Sequence, residues 1–292
     1  TAWWSRPSLA KAISASLGAH PLSNKALSAP QGAHLPLSEA RLPLTRPPLK
    51  NGSPARELTM SFRLTPPGLS RLNASYESGR ALWVSLTAVT RGQWMALMGA
   101  HEGMATRDEQ PVESVRWPDA VQFCNALSDH LGQPHAYELS LPSQLTEDTQ
   151  QATLVKLLSL DQGVRLPTPS EWAYLSLASQ RGPYAGEPTP HEGVQGVGRT
   201  GAQLVEVATG PSNAWGLYDT CGLVWEWAQP EPSHSPQEGL KEGLIPSSAP
   251  ICGGGWLDDD ELCRATQLRA RDPWERSVEQ GFRVVIPVKA HP

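Results

Sequence analysis

Thiols are the first groups in this chain to examine for chemistry, since a thiolate is both a nucleophile and a soft metal ligand. The four cysteines, Cys124, Cys221, Cys252 and Cys263, show no C-x-x-C spacing and are too few for a disulfide scaffold. Free, mostly buried thiols are the reading, with a Cys252–Cys263 bridge left open. The run Asp258-Asp259-Asp260 could attract a hard cation, but its flanks lack the spacing of a calcium loop. Gly196-Val197-Gly198-Arg199-Thr200-Gly201 matches G-x-G-x-x-G, yet no strand precedes it and no helix follows, as a dinucleotide site requires. The eight histidines are scattered, without H-E-x-x-H or an i, i+4 pair. Asn73-Ala74-Ser75 is a glycosylation sequon that matters only in an exported protein. No cofactor and no resident metal are expected.

What remains is binding, and it concentrates at Ile251 to Pro292. The stretch opens Gly253-Gly254-Gly255-Trp256 and closes Gly281-Phe282-Arg283-Val284-Val285-Ile286, a strand-and-turn frame. Between lie Leu257-Asp258-Asp259-Asp260-Glu261 and Arg269 to Glu279, dense in charge, aperiodic and carrying Trp274. Irregular charged and aromatic residues on a rigid frame are how recognition surfaces are built. Trp274 and Arg271 are the anchor types of interface hot spots. Asp258, Asp259, Asp260 and Glu275 favour a partner with a basic patch.

The elements that must hold this surface come from the rest of the chain. With 292 residues, 39% apolar and 18% charged, it has ample core for one large or two small domains. Eleven Trp against three Phe, with 28 Pro and 25 Gly, suggest a loop-rich fold braced by indoles. No run of 18 apolar residues exists and the start lacks an export pattern, so a soluble protein, cytoplasmic by default, is expected. Residues 1–57 hold seven Lys or Arg, two Glu and eight Pro. They read as a basic, Pro-rich arm or linker with one short helix at Ala10 to Leu17. The arm lacks the interleaved aromatics of a nucleic-acid binder, and none is expected as partner.

From Leu58 to Pro292 the chain reads as one domain. Thr59 to Leu64, Ala81 to Leu86 and Gln203 to Ala208 read as strands. Thr90-Arg91-Gly92-Gln93 and Thr168-Pro169-Ser170-Glu171 are capping boxes that open helices. A helix from Trp117 turns Ala120, Phe123, Cys124, Leu127 and Leu131 inward and stops at Gly132. Ala152 to Leu158 reads as a further helix, and Ser179 to Gly201 as a long loop. Trp225 and Trp227 are expected to pack the core on alternate sides of a strand, and Glu226 and Arg283 to pair internally.

Five blocks in order resemble the formylglycine-generating-enzyme (sulfatase-modifying factor) type domain: Val89-Thr90-Arg91-Gly92-Gln93-Trp94 with Pro111 to Trp117; Val164 to Trp172; Asn213 to Asp219; Trp225-Glu226-Trp227; and the closing Gly281-Phe282-Arg283. The resemblance implies an α+β, C-type-lectin-like fold, loop-rich, with short helices and small antiparallel sheets. Oxygen-dependent enzymes of that family carry two copper-binding cysteines five positions apart. Here Cys263 falls on the first position and Leu268 on the second, so the paired thiolates that Cu(I) needs are missing. Gly222-Leu223 stands where the family has Gly-Asn, which speaks against its calcium site.

The C-terminal segment resembles more closely the variable proteins of diversity-generating retroelements, whose end alternates fixed framework with mutated ligand-binding positions. That resemblance makes Gly254, Gly255, Trp256, Arg264, Pro273, Arg276, Gly281, Phe282 and Arg283 the framework. It makes Leu257, Asp258, Asp259, Asp260, Glu261, Leu268, Ala270, Arg271, Asp272, Trp274, Glu275, Ser277, Val278 and Glu279 the binding positions. The expectation is a non-enzymatic protein that binds a protein or other macromolecular ligand. The alternatives are a divergent formylglycine-generating-type oxidase and an inactive scaffold.

Overall fold

The computed structural model describes residues 38–49, 52–67, 81–99, 107–140, 154–180, 182–184, 194–231 and 246–288. The expected helix at Ala10 to Leu17 and the sequon at Asn73 lie outside them. Two four-stranded sheets and a two-stranded ribbon carry the fold. In the first sheet the order is β1 (Glu39–Arg46), β2 (Arg56–Thr65), β3 (Leu82–Ser85) and β10 (Val285–Pro287), all antiparallel. The ribbon pairs β4 (Tyr137–Ser140) with β5 (Leu154–Leu157). In the second sheet β8 (Leu268–Arg271), β7 (Ala249–Cys252), β6 (Trp225–Trp227) and β9 (Gln280–Gly281) lie in that order, with β6 and β9 parallel. This is the mixed α and β arrangement expected from the sequence.

The capped helices form where the sequence places them. In α1 (Arg91–Met98) the Thr90 hydroxyl accepts from the Gln93 N–H while the Gln93 side chain takes the Thr90 N–H. Thr168 and Glu171 do the same for α3 (Pro169–Leu177). In α2 (Trp117–Leu131) all five stripe residues are buried, and Gly132 ends the helix in the left-handed conformation. Trp94, Phe123 and Phe282 meet at centroid distances of 5.2–6.1 Å, which joins α1, α2 and the C-terminus in one core. Two buried indoles find backbone acceptors: Trp117 donates to the Ala228 carbonyl and Trp227 to the Val115 carbonyl.

Four expectations give way. Residues 39–46, assigned to the irregular arm, form β1, and Leu42, Leu44 and Arg46 face inward on alternate positions. Pro43 is tolerated because β1 is an edge strand, where a missing N–H breaks no ladder. Leu154 to Leu157, within the expected third helix, forms β5 with only Val155 buried; four residues are too few for periodicity to separate helix from strand. Gln203 to Ala208 forms no strand. Its polar backbone is satisfied by Gln110, which donates to the Leu204 carbonyl, by the Glu109 carbonyl and by the Asp219 carboxylate. Trp225 and Trp227 are two apart, so they share one face of β6 and enter the same core cluster.

Glu226 points the other way. Arg283 grips it with Nε–Oε2 at 2.6 Å and Nη2–Oε1 at 2.7 Å, and the Trp172 indole donates to Oε2 at 2.7 Å. The expected internal pair is therefore present, with both side chains sealed from water. Arg165 and Glu171 form a second buried fork.

Asp219 lies close enough to feel both members of the first pair and is buried against Ala208, whose N–H it accepts at 2.7 Å. Burial pushes its carboxyl up to about 6. The folded chain thus holds this proton to a higher pH than the unfolded chain does. The contribution is neutral below the unfolded value and becomes destabilising as pH rises through 4 to 6, reaching roughly 3 kcal/mol at pH 7. Asp219→Asn keeps the acceptor and removes the charge. Its urea midpoint should exceed the parent's at pH 7.5 and converge with it at pH 4; equal gaps at both pH values would contradict the assignment.

Candidate functional site

The candidate segment runs between β7 and β9, the two strands that flank β6. Its entry is tight. A Cβ on Gly254, at φ 84, would come within 2.8 Å of the Cys263 Cα, and one on Gly255 within 2.7 Å of a Glu279 oxygen. The chain then turns at residues 256–258, makes a single 3-10 turn at Asp260–Leu262, forms β8 and turns again at Asp272 to Glu275.

A polar layer lies under the first turn. Asp258 Oδ2 accepts from the Trp225 indole at 2.6 Å and from the Gly255 N–H at 2.9 Å. The Arg269 guanidinium sits 4.6 Å above the Trp225 ring and 4.0 Å from Asp258 Oδ1. Glu279 accepts the Leu257 N–H at 3.1 Å, and the Trp256 indole donates to the Val278 carbonyl. Burial, with Asp258 nearby, raises the Glu279 carboxyl. Asp260 packs against α4 (Val197–Thr200), where a Cβ on Gly196 or Gly198 would come within 2.7 Å of its carboxylate oxygens. The G-x-G-x-x-G glycines therefore make room for a carboxylate, which would repel a phosphate.

The fourteen sequence-predicted positions divide accordingly. Leu257, Asp259, Glu261, Leu268, Ala270 and Val278 stand out into solvent. Asp272 is also exposed, though its Oδ1 accepts the Trp274 N–H. Arg271 and Glu275 are partly exposed and pair with each other at 3.4 Å. Ser277 lends its carbonyl to the Ser114 N–H. Trp274 is half-buried, with the Arg116 guanidinium 5.7 Å from its ring centroid. Asp258, Asp260 and Glu279 face the layer beneath. Sequence reading missed Arg269, whose period-two placement in β8 turns it toward Trp225, and Arg116, which lies far off in the chain. Within the framework, Pro273, Gly281, Phe282 and Arg283 are buried as expected, while Trp256 is half-buried and Arg264 exposed.

The profile of the FGE-sulfatase family, the sulfatase-modifying factor enzyme 1-like domain, matches residues 70–288. The chain belongs to this family. A relative, chaperone protein LppX of Paenibacillus barcinonensis, is 28% identical over 221 residues, covering 68% of this chain and 77% of that protein. Treponema denticola variable protein 1 shares the fold at TM-score 0.64 and 22% identity, over 84% of this chain and 98% of that one. PvdO from Pseudomonas aeruginosa does so at TM-score 0.50 and 17% identity, over 87% and 92%.

Membership in the family raises the copper question, and the residues do not fit that metal. Leu268 occupies the second thiol position and points outward from an edge strand. Cys263 is sealed, its sulfur 3.6 Å from the Gly255 carbonyl, and burial together with Asp258 and Asp260 pushes its thiol far up. Burial likewise raises Cys221 to about 12 and Cys124 and Cys252 further. All four cysteines are free, so the Cys252–Cys263 bridge does not form. At the family's Asn position, Leu223 takes the left-handed conformation (φ 66) that Asn adopts readily, but it offers a buried isobutyl group instead of an amide oxygen. Among the described residues, no group of three or more His, Cys, Asp or Glu could hold a metal ion.

The split between inward and outward carboxylates can be measured. Asp258→Ala strands the Trp225 indole N–H and the Arg269 guanidinium, and should cost roughly 1–3 kcal/mol. Asp259→Ala should stay within about 0.5 kcal/mol of the parent. Urea unfolding of both variants decides it, and equal losses would place both carboxylates in the same role.

Proposed function

We propose that this chain is a non-catalytic binding protein whose recognition face is the outward part of residues 257–279. One observation carries the reading. Among the described residues five large apolar side chains are exposed, and three of them, Leu257 (45%), Leu268 (53%) and Val278 (50%), fall in this short segment. Apolar side chains held out on a backbone pinned from beneath are the anatomy of an interface rather than of a loop free to collapse. Around them Asp259 and Glu261 supply exposed negative charge, which favours a partner with basic groups at that end through association rate and selection.

The likeness to Treponema denticola variable protein 1 supports a face whose outward residues can be exchanged without loss of the fold. The relative from Paenibacillus barcinonensis bears the name chaperone protein, and holding a partner would use the same face. Peptide-cysteine oxidation lacks its second thiol, and the buried, protonated Cys263 is a poor substitute.

Two experiments test the reading. Peptides selected from a random display library on the folded chain should lose binding to the double variant Leu257→Asp, Val278→Asp, whose thermal midpoint should match the parent's. Selected peptides that bind the double variant unchanged would contradict the assignment. Incubation with Cu(I), oxygen and a sulfatase-type cysteine peptide should leave the peptide mass unaltered. Turnover that vanishes in Cys263→Ser would overturn the non-catalytic assignment.

A further inference from the structure

The second half of the recognition segment is anchored by residues well outside it. The Trp117 N–H donates to the Pro273 carbonyl and the Ser114 N–H to the Ser277 carbonyl, each at 3.0 Å. Arg276 reaches the Ser114 carbonyl and Asp119 Oδ2, each at 3.3 Å. All of these contacts converge on the N-terminal end of α2. There Arg116, the N-cap residue, is locked to Asp119 by Nε–Oδ2 at 2.9 Å and Nη2–Oδ1 at 3.2 Å. Its guanidinium, so fixed, lies over Trp274, the single aromatic residue between 257 and 279.

A guanidinium held by a two-point fork is a rigid planar shelf, and Arg is suited to stacking on indole in a way Lys is not. It restricts the Trp274 ring and occupies one of its faces. A ring attracts cations through its quadrupole, so a cation already beneath it weakens and electrostatically opposes a second one above. The open side of Trp274 is thereby biased toward uncharged or anionic groups.

We propose that Arg116 is a positioning and specificity residue of the recognition face: it orients Trp274 and turns that corner of the face against cationic groups. This rests on the reading of residues 257–279 as the recognition face. It also gives the partner an orientation, with its basic groups at the Asp259 and Glu261 end and an uncharged group on the Trp274 ring, since exposed Asp272 beside that ring disfavours an acidic one. Because Arg116 stands outside the segment, changes elsewhere in the segment leave this bias in place as long as Trp274 is kept.

The test uses the full chain labelled with 5-fluorotryptophan, the Trp274 resonance being assigned from Trp274→Phe, and tetramethylammonium as the cationic probe. In the parent the Trp274 resonance should stay still as the probe is added. In Arg116→Gln it should start from a different position and move on titration, with several-fold tighter apparent binding. Arg116→Lys keeps the charge but loses the fork, and should shift the starting resonance while still resisting the probe. If Arg116→Gln lowers the thermal midpoint, the Lys variant carries the orientation test alone. A Trp274 resonance unmoved by either substitution would overturn the positioning role. Equal probe response in parent and Arg116→Gln would overturn the specificity role. Neither readout needs a partner, so a display selection yielding only binders that ignore residues 257–279 would overturn the recognition reading separately.

Discussion

A guanidinium and a carboxylate without access to water, Arg283 and Glu226, hold the frame on which the rest of this structure depends. Glu226 is the middle residue of β6, and its backbone partners are Cys252 on one side and Gly281 on the other. These positions lie at the entry and the exit of the candidate segment. Arg283 follows the exit directly and also reaches the Ser85 and Tyr218 carbonyls, while Trp172 brings α3 onto the same carboxylate. Removing one member of such a pair leaves an uncompensated buried charge, which typically costs ~3–5 kcal/mol. Both ends of residues 253–281 are thus tied to Glu226, the entry by backbone pairing and the exit by backbone pairing and the ion pair.

Within the clamp the chain divides its polar residues by direction. Asp258, Glu279 and Arg269 work beneath the first turn, where Trp225 supplies both a donor and a ring face. Asp260 fills the space left by Gly196 and Gly198. The outward residues contribute little to this internal bonding, so their identity is open to change at small energetic cost. A frame that bears the stability and a face that does not is a division suited to recognition. Leu268 on the edge strand fits the same division, since it adds exposed apolar surface where copper chemistry would require a second thiol.

Local signals survived into the structure where chemistry acts over a few residues. The two capping boxes, the α2 stripe and the glycine that ends it depend on neighbours three or four positions away, and these were readable. β1 was not, because Pro43 within it and Pro47-Pro48 after it outweighed the alternation of Leu42, Leu44 and Arg46, and only the sheet order reveals that Pro43 sits on an edge. β5 reads as helix from sequence because its four residues acquire their period only by pairing with β4. At the site, residue type showed that the segment is charged but not which charges are already committed. Asp258 and Asp259 are adjacent and chemically identical, yet one is tied to an indole from another strand and the other is free in solvent. Trp256, a framework residue by resemblance, is half-buried, and its side chain holds the backbone by one hydrogen bond to Val278. No local pattern could have joined Arg116 to Trp274, since that contact exists only through the packing of α2.

Separation of frame from face is tested most directly by a protease-resistance scan of every substitution from residue 253 to residue 283. Leu257, Asp259, Glu261, Leu268, Ala270 and Val278 should accept nearly all residues with unchanged resistance. Gly254, Gly255, Asp258, Pro273, Gly281, Phe282 and Arg283 should be depleted of almost every replacement. Equal depletion at the two sets of positions would contradict the account, because the outward side chains would then be part of what holds the fold together.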